Sequence, residues 1–132
     1  MVIGALTTTN TSPKLYESGD AYATGAWNTA SDQRLKDDIT EVLAGRGLAV
    51  IMSLNPKEWI WNEKSSLYGK RGAGFIAQEI EGVLPFAVVN DGGFMGMNYQ
   101  ALQAYEVACL QDHERRLARV EDEIKKLVGY GA

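Results

Sequence analysis

The chain has 132 residues, 45% hydrophobic and 23% charged, which fits one globular domain with its own core and excludes a disordered or fibrous chain. Its net charge of −4 argues against a phosphate-binding face, which needs clustered Lys and Arg, so no nucleic-acid partner is expected. The single cysteine, Cys109, excludes an internal disulfide and fits folding in a reducing compartment. No apolar run is long enough to cross a bilayer, and the first residues lack the basic-then-apolar order of a signal peptide, so no membrane partner is expected.

In chain order, residues 1–30 are rich in Thr, Ser, Gly and Ala, with short pieces such as Leu15-Tyr16 and Tyr22 to Trp27. Small and β-branched residues between turn formers predict short strands or extended chain that does not fold alone. Ser31 or Asp32 is placed to cap a short helix from Gln33 that ends before Gly45, with a turn over Lys36 to Thr40 as the alternative. Leu48 to Met52 then supplies an apolar helix or strand, and Asn55-Pro56 stops it, because the residue before proline is pushed out of the helical region. Trp59 to Asn62 reads as a strand, and Glu63 to Gly74 as a polar loop. Phe75 to Val83 has near-helical apolar spacing and ends before Pro85. Phe86 to Val89, the turn Asn90 to Gly93, and Phe94 to Met97 predict a hairpin. A long helix follows from the cap Asn98 to Val128, where Gly129 stops it. The fold class expected is therefore α+β, a small mixed domain closed by one long helix.

That helix carries Leu110, His113, Leu117, Val120, Ile124 and Leu127 at alternating spacings of three and four, the a/d stripe of a coiled coil. Arg116 and Glu121 then fall at flanking g and e positions, where opposite charges on neighbouring chains meet. Periodicity alone is equally satisfied by an amphipathic helix lying on its own domain's core.

Ser31 and Lys36 place a hydroxyl nucleophile five residues before an amine that is able to act as its base. Taken by itself the pair also reads as a helix N-cap and a surface cation paired with an acid. An ordinary lysine is protonated at neutral pH, so Lys36 has to be desolvated or placed beside another cation, for which Arg34 is the candidate; Asp32, Asp37 and Asp38 act the other way. Other chemistry finds no support. His113 and Cys109, without further His or Cys, make no tetrahedral zinc site within one chain. Gly69, Gly72 and Gly74 lack the lysine and the strand-turn-helix setting of a phosphate loop. No metal or cofactor is expected.

The Ser31-Asp32-Gln33-Arg34-Leu35-Lys36 start, the Asn55 to Trp61 segment, Gly74-Phe75-Ile76-Ala77-Gln78-Glu79-Ile80 running into Val83-Leu84-Pro85, and Asn98-Tyr99-Gln100-Ala101-Leu102 before a charged heptad helix together resemble one family over about residues 27–127. It is the endosialidase-type C-terminal intramolecular chaperone domain, found at the end of bacteriophage tail spikes, tail fibres and neck appendages and also in myelin regulatory factor. The resemblance implies a homotrimer that helps its own upstream β-stalk to fold and then cuts itself off. It implies cleavage at Ala30-Ser31, with Ser31 and Lys36 as the catalytic dyad of a single-turnover peptidase. Asn28, Arg34, Gln78 and Glu79 are the candidate supporting residues, and Leu110, His113, Leu117, Val120, Ile124 and Leu127 the trimer interface. Residues 1–30 then end the stalk and 31–132 form the chaperone, a virion precursor folded in the host cytoplasm whose fragment is released. Ser31 attack with an acyl shift, or a water held by Ser31, are both open routes. A trimeric cap that stays attached and the release of a membrane-tethered transcription factor are the competing functions.

Overall fold

The computed structural model describes residues 22–90 and 92–129. The strand expectation at Leu15-Tyr16, the turn residue Asp91 and the residues after Gly129 lie outside them. The described chain is the expected mixture of helices and short strands. Helix α1 spans Ala44–Ser53, α2 spans Ala77–Glu81 and α3 spans Tyr99–Gly129. Strand β1 (Lys57–Ile60) pairs antiparallel with β2 (Arg71–Gly74), and β3 (Val88–Val89) with β4 (Gly96–Met97). No described helix is long and apolar enough to cross a membrane.

Several expectations are corrected. Residues 22–30 form no strand and are largely exposed. The helix expected from Gln33 is a single 3-10 turn, Gln33–Leu35. Asp32 caps it as anticipated, its Oδ1 accepting from the Arg34 N–H at 2.8 Å. The turn goes no further because Lys36 is extended (φ −133°) and Asp38 takes a left-handed φ of 50°, while side-chain bonds compete with the helical ladder. Gly45, before which a helix is expected to end, lies inside α1 together with Gly47. The reason for Gly47 is contact between helices. A Cβ there would meet the Ala108 Cβ at 2.9 Å and the Tyr105 carbonyl oxygen at 3.2 Å, so the missing side chain lets α1 lie on α3. The loop expected up to Gly74 ends in strand β2. Its register sets Trp59 opposite Gly72, where a Cβ would lie 2.6 Å from the Trp59 Nε1.

The core is small: Val50 of α1, Ile80 of α2, Leu84, Ala87, Leu102 and Tyr105, with Phe75, Val83 and Met97 packed against it. Phe86 and Ala87, expected in a strand, lie in a 3-10 turn, Pro85–Ala87, that leads into β3. The hairpin itself is present, with Val88 opposite Met97 and Val89 opposite Gly96. Asn98 begins α3 as expected, its side-chain oxygen accepting from the Gln100 N–H at 3.1 Å. The helix buries Leu102, Tyr105, Ala108 and Cys109 in its first third. Beyond that its apolar stripe is left uncovered by the other described residues: Leu110, Leu117, Val120, Ile124 and Leu127 are 53–74% exposed.

Candidate functional site

The 3-10 turn brings the Ser-Lys pair together. Asp32 engages Arg34 three times, through the backbone N–H and through the guanidinium, with Nε at 3.0 Å and a terminal nitrogen at 2.8 Å. That bracket tightens residues 32–34 into one turn. Lys36 consequently folds back, and its Nζ donates to the Ser31 Oγ at 2.7 Å and to the Ser31 carbonyl oxygen at 3.1 Å. The two side chains are within the reach a nucleophile and its base require.

The electrostatics are those of a solvated turn. The Arg34 guanidinium holds the Asp32 carboxyl below its ordinary range, first through the side-chain bond and then through the backbone N–H. Asp32 in turn raises Arg34. Arg34 is therefore paired with an acid, and the sequence reading that it presses on Lys36 as a second cation loses force: its charge is matched within the turn. Ser31 and Lys36 are both exposed, so among the described residues nothing covers the amine.

Ala30 and Asn28, on the other side of the candidate bond, are exposed on residues 22–30. Between them Thr29 reaches the body of the molecule. Its Oγ1 donates to the Gln100 Oε1 at 3.1 Å, across 71 positions of sequence. Neither residue carried a local signal; Gln100 is visible beforehand only as part of the Asn98 to Leu102 segment.

Gln78 and Glu79 lie on α2 and are exposed. Glu79 forms an ion pair with Lys57 at the start of β1 and accepts from the Asn55 amide at 3.4 Å. Lys57, and behind it burial acting the other way, leaves the Glu79 carboxyl below its ordinary range. Its described partners thus tie α2 to the α1–β1 connection. Gln78 borders an open cleft of about 540 Å³ lined by Trp59, Trp61, Phe75, Met97 and Tyr99 among others. Trp59 and Trp61 meet edge to face there, with centroids 5.5 Å apart. Neither Ser31 nor Lys36 lines that cleft. His113 lies on the exposed part of α3, its Nε2 3.9 Å from the Cys109 Sγ.

Comparison with known proteins adds to this geometry. Residues 31–89 match a family described as "Chaperone of endosialidase", whose model is named as a peptidase. The match starts at Ser31. The chain is 28% identical over 108 residues to the long tail fiber protein Gp37 of Salmonella phage S16, covering 76% of this chain and 14% of that protein. It is 29% identical over 109 residues to myelin regulatory factor homolog 1 of Caenorhabditis elegans, covering 74% of this chain and 12% of that protein. The chain thus spans only a small part of the length of either relative.

Proposed function

Starting from a chain whose residues 31–89 carry the chaperone-of-endosialidase match, we propose that it is the chaperone end of a longer fibre protein, that it acts as a homotrimer, and that it cuts its own Ala30-Ser31 bond. Ser31 is the nucleophile and Lys36 its base. The observation that carries the reading is the 2.7 Å contact between Lys36 Nζ and Ser31 Oγ, immediately after the bond in question and at the first residue of the family match. The similarity to a long tail fiber protein supports a fibre stalk as the upstream partner.

The chemistry balances within the chain. Lys36, as a free amine, takes the proton from Ser31 Oγ, and the alkoxide attacks the Ala30 carbonyl carbon through a five-membered ring. The carbon–nitrogen bond breaks, the Ser31 nitrogen takes a proton, and the acyl group is now an ester on Oγ. Water hydrolyses that ester to leave the Ala30 carboxylate and a free Ser31 hydroxyl and amine. In the alternative route Ser31 positions the attacking water directly.

Both routes need a neutral amine, and a lysine of ordinary basicity is almost wholly protonated at neutral pH. Burial shifts that balance by penalising the ammonium. Since one chain leaves Lys36 exposed, the covering has to come from association with other chains or with the folded stalk. Cutting would then follow assembly rather than precede it. Association through α3 also brings three stalk ends together at high effective concentration, which favours non-local strand pairing.

The same exposure favours a second reading, a trimeric cap that never cuts. Intact mass separates the two. The wild-type chain yields a fragment beginning at Ser31, while Ser31→Ala and Lys36→Ala stay whole; a wild type that trimerises and stays whole is the permanent cap.

A further inference from the structure

The hydrogen bond from Thr29 to Gln100 crosses the candidate cut. Thr29 lies two residues before Ser31, on the upstream side of the cut; Gln100 lies in the first turn of α3, on the chaperone side. Gln100 is held firmly at that place. Its backbone N–H is capped by Asn98. Its neighbour Tyr99 lies against Phe75, centroids 6.3 Å apart, and close to Gly74, where a Cβ would meet the Tyr99 hydroxyl at 2.7 Å. Two residues on, Leu102 is in the core. From this fixed turn the helix runs without interruption to the exposed apolar stripe at Leu110 to Leu127.

We propose that Gln100 is a positioning residue for self-cleavage: by accepting the hydrogen bond of the Thr29 hydroxyl it fixes the residue next to the scissile carbonyl, so that Ala30 is presented to Ser31 Oγ. This rests on the self-cleavage reading above and deepens it. Ser31 and Lys36 set only one side of the reacting geometry, since both follow the bond. Residues 22–30 are largely exposed and free of regular structure, and an attack along a five-membered ring requires the Ala30 carbonyl to be held in one orientation. The Thr29 anchor removes one residue's freedom at that point. It also links the cut to α3, the element whose distal half carries the proposed association.

The test is a time course of intact mass on the full chain made by cell-free synthesis, so that the uncut chain is seen. Thr29→Val and Gln100→Leu each delete one half of the hydrogen bond at an exposed place, and each is expected to slow appearance of the 31–132 fragment by roughly 3- to 10-fold, the range for one hydrogen bond. The double variant is expected to be no slower than either single one, because both remove the same contact. Thr29→Ser keeps the donor and Gln100→Glu keeps an acceptor, so both are expected to stay near the wild-type rate. Melting temperature and oligomeric mass are expected to be unchanged throughout, which a merely structural role for Gln100 would not give. Single variants at the wild-type rate, or losses that multiply in the double variant, overturn the proposal while a cutting wild type leaves the self-cleavage reading standing. A wild type that never cuts overturns both.

Discussion

The two parts of α3 differ in what they touch, and the difference locates the work of this molecule. From Tyr99 to Cys109 the helix lies on its own chain, with Leu102 and Tyr105 in the core and Gly47 of α1 admitting the close approach of Ala108. From Leu110 onward the same apolar spacing continues, but Leu110 is 66% and Leu127 74% exposed. A stripe of that regularity, flanked by Arg116 and Glu121, is what chains use to find one another. One helix therefore holds both a packed segment and an exposed apolar stripe, the seam of the proposed association.

The sharpest way to break this comparison is to charge the seam. Leu117→Asp with Ile124→Asp would set unpaired carboxylates into the association layers, and the self-association constant is expected to fall by at least about a hundredfold, since each ~1.4 kcal/mol is a factor of ten and burying an unpaired charge costs more than that. Analytical ultracentrifugation reads the association, and circular dichroism is expected to show the body still folded. If association survives, the seam lies elsewhere.

Shortening a side chain in the other part should do the reverse. Leu102→Ala removes a fully buried side chain at the α1–α3 contact and is expected to cost about 2–5 kcal/mol of stability. A denaturant midpoint close to wild type would mean that the first third of α3 contributes little to the body.

The smallest effect expected is electrostatic. The Lys57 ion pair holds Glu79 below its ordinary value of 4.5, so its contribution to stability is present above that value and lost as pH falls through the lower folded-state value. Lys57→Ala is expected to lower the melting temperature slightly at neutral pH, with the gap to wild type closing as pH falls below the ordinary carboxylate range. A gap that stays constant with pH would mean that Lys57 acts through packing alone.

The sequence makes the long helix legible, because Asn98 caps it and its apolar stripe is regular, and it makes the hairpin legible through Asn90 to Gly93. It hides what depends on distant partners. Gly47 looks like a helix breaker until Ala108 is seen against it, and Gly72 looks like a loop residue until Trp59 lies across it. The helix expected after Gln33 is lost to side-chain bonds, Asp32 with Arg34 and Lys36 with Ser31. The Ser-Lys pair itself is visible from five-residue spacing. Thr29 and Gln100 are not, since 71 positions separate them.

The most direct test of the account is the rate of self-cleavage across a wide dilution series, read by intact mass as the 31–132 fragment. If burial by neighbouring chains is what frees the Lys36 amine, the rate rises steeply with chain concentration, levels off once the chain is fully associated, and is suppressed by the Leu117→Asp, Ile124→Asp pair. A cut whose rate is the same at every dilution, including where the chain is monomeric, would contradict the account, and so would a fully associated wild type that remains whole.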